Sequence, residues 1–321
     1  MDDYKELNNW IVAHSRSLDL QVERLGWVNR WLPEFHDFLV MGKAFGRTFE
    51  GRGTDKNEEY AFYKAFSELI ERIYCFGQKI NSNGVAAHID RVQATANAKK
   101  ELVERDAILC HYLTKTPFRR LEGVSLPKKF EELSSRLKKY GITLTLGRAL
   151  SAVENWHVAI CHADGGEDFG ILCGFGCDEN LSCAFESAIL ECMINVVAHL
   201  DGNLDLPSLS VNELYKKETA KSLDHKRVHF AHKFFKLKTC EANFDAFAKI
   251  EGLEFEIQTL KGPLPLFDSI PIHVTRATSR KLQNVYYGKN KNEHFNFGRL
   301  SAFAGKELSL GMLPIVPHPI G

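Results

Sequence analysis

Two segments of the chain repeat the spacing Glu-x-x-Glu-Arg. The repeated residues are Glu68, Glu71 and Arg72 in ELIER, and Glu101, Glu104 and Arg105 in ELVER. Residues three apart on a helix lie on the same face, so each segment would present two carboxylates together. Like charges at this spacing destabilise a helix by roughly a few tenths of a kcal/mol unless a cation binds between them. The repeat therefore raises the question of a metal site.

Carboxylate pairs of this kind suit Mg²⁺, which takes one or two protein carboxylates together with phosphate oxygens. Four carboxylates and a nucleoside triphosphate would carry about eight negative charges, and two Mg²⁺ ions with two arginines would return about six. Further basic groups are thus expected near such a site. The alternative is two solvated helix faces, but repetition of the spacing favours metal and phosphate binding. The chain lacks Gly-x-x-x-x-Gly-Lys-Ser/Thr, so a P-loop would not hold the phosphates.

Three predicted helices carry the candidate carboxylates. Apolar residues at helical spacing predict helices over residues 57–76 and 90–113, which contain the two repeated segments. A third helix is predicted over residues 180–200, with Glu191 at its centre. In all three, small alanines precede the glutamates, which would let each helix lie close against a sheet.

Strands are predicted over residues 140–150, 154–177 and 264–277, with a hairpin turn at DGGEDFG. The end of the chain, GMLPIVPHPIG, is expected to be extended and not helical, because prolines interrupt helices. These patterns predict an α+β fold with about three related strand–helix units. Residues 1–40 are predicted to form an N-terminal helical flank, and residues 41–321 a catalytic domain with a proline-rich tail.

Composition limits the class of protein. The chain has 321 residues, with 41 basic and 41 acidic side chains. This balance disfavours a nucleic-acid-binding protein, which usually carries excess Lys and Arg. No apolar run approaches a membrane span, so no membrane partner is expected. The eight cysteines have no secreted-framework spacing and no signal peptide precedes them, which predicts reduced thiols in the cytoplasm.

Three segments resemble the motifs of the YcaO family, ATP-dependent enzymes that activate peptide backbone amides. They are GRGTDKNEEYAFYKAFSELIER, SNGVAAHIDRVQATANAKKELVERDA and GFGCDENLSCAFESAILE. The resemblance runs from about residue 41 to the C-terminus and implies a YcaO-type fold around a central nucleotide site. Its implied cofactors are ATP and Mg²⁺.

The resemblance also implies roles for individual residues. The implied metal ligands are Glu68, Glu71, Glu101 and Glu104. The implied nucleotide contacts are Arg52, Arg72, Ser82, Asn83 and Arg105. Glu191 is implied to face the same site, and Pro319 belongs to a tail that reaches the active site in azoline-forming members. His88 could act as acid or base or could make a structural hydrogen bond. Arg276 could supply the missing positive charge or could be an ion-pair partner.

Three departures from the family pattern concern individual residues. Gln93 stands where the family often has Glu, and Arg52 where many members have Lys. The tail has Pro314, Pro317 and Pro319 in place of the usual Pro-x-Pro-x-Pro end.

The implied reaction gives an azoline or a thioamide in a peptide substrate, and the sequence leaves the two open. A leader-peptide-binding, E1-like or TfuA-like partner protein is expected, and a homodimer remains open. The alternative function is a non-catalytic ATP-binding accessory subunit that assists another modifying enzyme.

Other reactive side chains favour plainer interpretations. His225, His229 and His232 could bind zinc on one helical face, but neighbouring lysines favour a basic, solvent-facing segment. Cys173, Cys177 and Cys183 lack Cys-x-x-Cys spacing and are expected to be buried structural thiols. His157 and His162 are expected on opposite faces of one strand, which disfavours a joint catalytic role.

Overall fold

The computed structural model describes residues 2–120, 128–166, 171–200, 249–286, 290–314, 318 and 320. The chain divides into two compact units. Unit 1 comprises Met1–Leu102 and Glu254–Ser279, and unit 2 comprises Val103–Leu253 and Arg280–Gly321. The predicted N-terminal flank falls within unit 1, and its separate role stays a prediction.

The described elements follow in chain order. The first part contains α1 (Asp2–His14), β1 (Gln21–Arg24), α2 (Gly26–Trp31), β2 (His36–Ala44), β3 (Arg47–Asp55), α3 (Glu58–Gln78), β4 (Val85–His88) and α4 (Arg91–Thr114). The second part contains β5 (Arg119–Arg120), α5 (Lys128–Lys138), β6 (Thr143–Ala149), β7 (His157–Asp164), β8 (Ile171–Asp178), α6 (Leu181–Leu200), β9 (Glu256–Thr259), β10 (His273–Thr278) and α7 (Phe297–Ala304). Short 3₁₀ turns occur at Pro265–Ser269, Asn292–His294 and Leu310–Met312.

The sheets are antiparallel within each unit. Unit 1 holds strands in the orders β1-β2-β3 and β4-β10-β9, and unit 2 holds β5-β6-β7-β8. The three predicted helices are confirmed as α3, α4 and α6, and the predicted strands around residues 140–177 as β6, β7 and β8. The α+β class and its repeated strand–helix units are confirmed with them.

Two predicted extended segments need correction. The strand predicted over residues 264–277 begins only at His273, because Pro265 opens a 3₁₀ turn in the first half of the segment. Proline is favoured in the first turn of a helix. The backbone N–H groups of that turn have no acceptor within the helix, so the lack of an N–H in proline costs nothing there. The tail also begins with a 3₁₀ turn at Leu310–Met312, ahead of the first tail proline.

In unit 1, α3 lies directly against β3 because the strand has glycines where the helix crosses it. A Cβ atom on Gly53 would lie 2.2 Å from the Ala61 carbonyl oxygen, and one on Gly51 would lie 2.2 Å from that of Ala65. Ala61 and Ala65 are themselves fully buried. The predicted close approach of an alanine-bearing helix to a sheet is therefore confirmed.

Unit 2 repeats this packing with β8 and α6. A Cβ atom on Gly176 would lie 2.3 Å from the Ala184 carbonyl oxygen, and one on Gly174 would lie 2.3 Å from that of Ala188. By length and composition α6 could also cross a membrane, but 50% of its apolar window is buried inside the protein. Its packing on β8 is that of a core helix.

A buried ion pair holds α4 against α7 within unit 2. Arg299 Nη2 lies 2.7 Å from Asp106 Oδ2, and both residues are almost inaccessible to solvent. The backbone N–H of Gln283 also donates to Asp106, at 2.7 Å. A buried charge is tolerated when it is paired and hydrogen-bonded, as here.

The glycine contact in unit 1 predicts a sharp difference between two substitutions. Gly53→Ala should destabilise the protein by about 3 kcal/mol, because its methyl group would overlap helix backbone that cannot move aside. Gly26→Ala is the control, since nothing lies within 4 Å of its Cβ position. We expect it to change stability by less than about 1 kcal/mol. Urea denaturation measures both, and equal effects would contradict the packing argument.

Candidate active site

A cavity of about 420 Å³ in unit 1 contains several of the predicted site residues. Glu68 and Glu71 on α3 and His88 at the end of β4 line it, together with Gln93 and Asn97 on α4. The cavity thus combines these two glutamates with an imidazole and two amide side chains, and the ion pair of Lys64 with Asp55 also lines it. That donor set can bind a cation and polar groups of a ligand.

Glu68 is held in place by a strand and by its own helix. Its Oε2 accepts the backbone N–H of Arg52 at 2.7 Å, and its Oε1 accepts Arg72 Nη2 at 2.6 Å. The first contact exists because the glycines on either side of Arg52 bring the strand backbone against α3. The side chain remains 33% exposed, so the carboxylate stays accessible to a ligand.

Glu71 joins α3 to a different strand. Its Oε1 accepts the backbone N–H of Ala87 on β4 at 2.7 Å. Both glutamates of the first repeated segment are therefore oriented by strand amides. Their carboxylates line the same cavity.

Arg52 forms an ion pair with Asp37, an aspartate that no sequence motif indicated. Its Nε donates to both carboxylate oxygens of Asp37, at 3.0 and 3.1 Å, and Asp37 is fully buried. Thr54 also donates to Asp37, at 2.9 Å. Asp37 lies opposite Thr54 in the β2–β3 register, so only the strand pairing places it beside Arg52. The predicted contact of Arg52 with a nucleotide stays a prediction.

The Ser82-Asn83 segment forms a tight turn before β4. The N–H of Val85 donates to the Ser82 carbonyl at 3.2 Å, and Gly84 has a φ of +69°. A Cβ atom on Gly84 would also lie 2.5 Å from the Ala277 carbonyl oxygen. Glycine is thus required both by the backbone angle and by the space. In this turn Asn83 is buried and Ser82 is exposed.

His88 is oriented by the backbone that follows it. Its Nδ1 accepts the N–H of Asp90 at 2.9 Å. The neutral ring therefore carries its proton on Nε2. This arrangement gives the ring one defined tautomer at the edge of the cavity.

Arg276 on β10 is a candidate for binding an anion. The residue lies on β10, opposite Val85 of β4, and its Nε is buried with no hydrogen-bond partner among the described residues. A buried donor left unpaired is costly, so the position suits an anionic ligand or a water molecule. A phosphate group would fit this requirement.

In unit 2, Glu191 repeats the contact made by Glu68. Its Oε2 accepts the backbone N–H of Phe175 at 2.6 Å, from between the glycines of β8. The residue as a whole remains accessible, but protein surrounds its carboxyl group, and this desolvation raises its pKa to about 7. The Phe175 amide and the positive charge of Arg105 act in the opposite direction. The structure therefore brings Arg105 and Glu191 together.

The remaining predicted residues are placed as follows. Glu101 and Glu104 lie one turn apart on α4, and both are half-buried. Pro319, His225, His229 and His232 fall outside the described residues. Among the residues that the structure describes, no group of three or more metal-ligating side chains could hold a metal ion by protein contacts alone.

The structure tests the predictions for the three cysteines and for the two strand histidines, and one cysteine departs from them. Cys173 is buried and Cys177 is partly buried, but Cys183 is exposed, because it lies in the first turn of α6 before the buried residues begin. His157 contacts Arg148 at 2.9 Å, whereas His162 is buried, so the two share no site.

The candidate site combines an α+β fold with glutamates that accept backbone N–H groups of neighbouring strands. A family model described as YcaO cyclodehydratase, ATP- and Mg²⁺-binding, matches residues 77–262. This chain therefore belongs to the YcaO family, and the expected cofactors, ATP and Mg²⁺, are those of the family description. The matched range contains the second and third motifs, and the first motif precedes it. No curated protein sequence matches the chain significantly.

Solved structures confirm the fold. YcaO from Methanopyrus kandleri bound with AMPPCP and Mg²⁺ superimposes with a TM-score of 0.61 at 15% identity, over 90% of this chain and 94% of that one. A heterocyclase in complex with substrate and cofactor gives 0.66 at 11% identity, over 97% of this chain and 57% of that one. The E. coli microcin synthetase McbBCD complex gives 0.52 at 9% identity, over 89% and 95%.

The contact between Glu191 and Phe175 predicts the effect of two substitutions. Glu191→Ala removes the acceptor of a strand amide, and leaving that amide unsatisfied should cost about 1–3 kcal/mol. Glu191→Gln keeps an acceptor oxygen at the same position and should cost less than about 1 kcal/mol. Urea denaturation of both variants measures the difference. A similar loss in both would show that the hydrogen bond is not what Glu191 contributes.

Proposed function

We propose that this chain is an ATP- and Mg²⁺-dependent enzyme that activates backbone amides of a peptide substrate. The product would be an azoline or a thioamide. The observation that carries the proposal is the pair Glu68 and Glu71, held by strand amides on one wall of a cavity in a YcaO-family chain. Carboxylates oriented in this way suit the coordination of Mg²⁺ beside phosphate oxygens.

The chain's own groups would bind and orient the reactants. The amides of Arg52 and Ala87 restrict rotation of the two carboxylates, so little ordering is needed when a metal binds. The buried donor of Arg276 fits an anionic phosphate. When bound, MgATP would supply the phosphoryl group that makes the amide oxygen a leaving group.

His88 would donate or accept a proton at the cavity. Because its Nδ1 is occupied by the Asp90 amide, only Nε2 can exchange a proton with a ligand. The ring lies in the lining of the same cavity as the two carboxylates. We therefore propose Nε2 of His88 as a proton donor or acceptor for the peptide substrate.

A partner protein is part of the proposal. The heterocyclase neighbour is described in complex with substrate and cofactor, and McbBCD is described as a complex, also with pro-MccB17 bound. These descriptions support a leader-peptide-binding, E1-like or TfuA-like protein that would deliver the peptide to this chain.

Removing the charge of a metal ligand should weaken nucleotide binding. Glu68→Gln and Glu71→Gln should each weaken MgATP binding by at least tenfold, about 1.4 kcal/mol, because a neutral amide replaces an anionic ligand. Titration calorimetry with the full chain measures the affinity. The matched control on the same helix is Glu58→Gln, a half-exposed residue paired with Arg24, which should leave the affinity unchanged. Full affinity in both test variants would remove these glutamates from the site.

Turnover distinguishes an enzyme from an accessory subunit. With its peptide and partner supplied, the chain should release ADP and phosphate faster than without them. Mass spectrometry of the peptide then identifies the product, since an azoline has lost one water and a thioamide has exchanged an oxygen for a sulfur. ATP binding with no peptide-stimulated hydrolysis and no modified peptide would indicate an accessory subunit.

A further inference from the structure

Three tyrosines line the same cavity as the candidate metal ligands. They are Tyr4 on α1 and Tyr60 and Tyr63 on α3. The ring centroids of Tyr4 and Tyr63 lie 4.3 Å apart in a stacked arrangement, and those of Tyr4 and Tyr60 lie 5.8 Å apart. Neither metal coordination nor phosphate binding calls for an aromatic group at this wall.

Tyr60 lies nearer to the beginning of α3 than Glu68 and Glu71 do. Tyr60, Glu68 and Glu71 all face the cavity, so they follow one side of the helix. At about 1.5 Å of rise per residue, Tyr60 lies roughly 12 Å along the axis from Glu68 and about 16 Å from Glu71. An extended nucleoside triphosphate also carries its base well away from its terminal phosphates. The cavity therefore offers an aromatic end and an acidic end to one ligand.

Hydrogen bonds and ring stacking hold this group of three tyrosines in place. Tyr63 is buried, and its hydroxyl is fixed by Asn8, which donates to it at 2.8 Å, and by Glu59, to which it donates at 3.3 Å. The fixed Tyr63 ring thus holds the stacked ring of Tyr4 in position. Tyr60 is 47% exposed and lines the cavity, so part of its ring is accessible to a ligand there.

We propose that Tyr4 and Tyr60 form a stacking wall for the purine base of the nucleotide, and that α1 is therefore part of the nucleotide site. The inference rests on the proposed function, because it assumes that phosphates bind at the acidic end. Base–aromatic stacking is sequence-tolerant, since every base has a π face. The wall contributes affinity for the base, while other groups would distinguish one base from another.

The test compares a ligand that has a base with one that lacks it. The affinities of MgATP and of magnesium tripolyphosphate are measured by titration calorimetry for the wild type, Tyr4→Ala, Tyr60→Ala, Tyr4→Phe and Tyr60→Phe. Both alanine variants should weaken MgATP binding by about 5- to 100-fold. They should leave tripolyphosphate binding within about twofold, and both phenylalanine variants should retain ATP affinity, because stacking needs the ring and not the hydroxyl.

Every other outcome overturns the inference in a recognisable way. Equal loss of both ligands would mean that the tyrosines only support the fold. Unchanged ATP affinity would exclude base stacking. If the alanine variants also raised the KM for the peptide in a turnover assay, the two tyrosines would belong to the peptide site instead. If the wild type binds neither ligand, the proposed function fails and the base site fails with it. Should Tyr4→Ala not fold, the half-exposed Tyr60 keeps the comparison decisive.

Discussion

The structure depends on the close contact between an alanine-bearing helix and a strand that carries glycine on both sides of one residue. With no Cβ atoms between them, helix and strand backbones approach to a distance that no other residue would permit. The strand amide between the glycines then faces the helix and needs an acceptor. A glutamate three residues beyond the second alanine supplies it, as Glu68 does for Arg52 and Glu191 does for Phe175.

The same contact leads to different chemistry in the two units. In unit 1, Glu68 also accepts Arg72 and stays partly exposed beside a cavity, so its carboxylate remains suited to a ligand. In unit 2, desolvation raises the pKa of Glu191 to about 7, so a proton on this carboxyl is accessible near neutral pH. The same local contact thus yields a carboxylate beside a cavity in one copy and a carboxyl group with a raised pKa in the other.

The contact restricts the sequence of this chain at only a few positions. The solved structures that share the fold are 9 to 15% identical to this chain. A backbone approach that tolerates only glycine and alanine restricts a handful of positions strongly and leaves the remainder free to change.

The sequence by itself determined the three glutamate-bearing helices, the strands β6 to β8, the repeated glutamate spacing and the family, because each depends on local periodicity or on a short motif. It did not reveal Asp37, which meets Arg52 only through the β2–β3 register, or the pairing of Asp106 with Arg299 from a distant helix. These contacts join residues far apart in the chain, and no local pattern records which partners will meet. Tertiary structure alone also decided that Glu68 and Glu71 are aimed by strand amides, since that follows from how the helix and the strands pack.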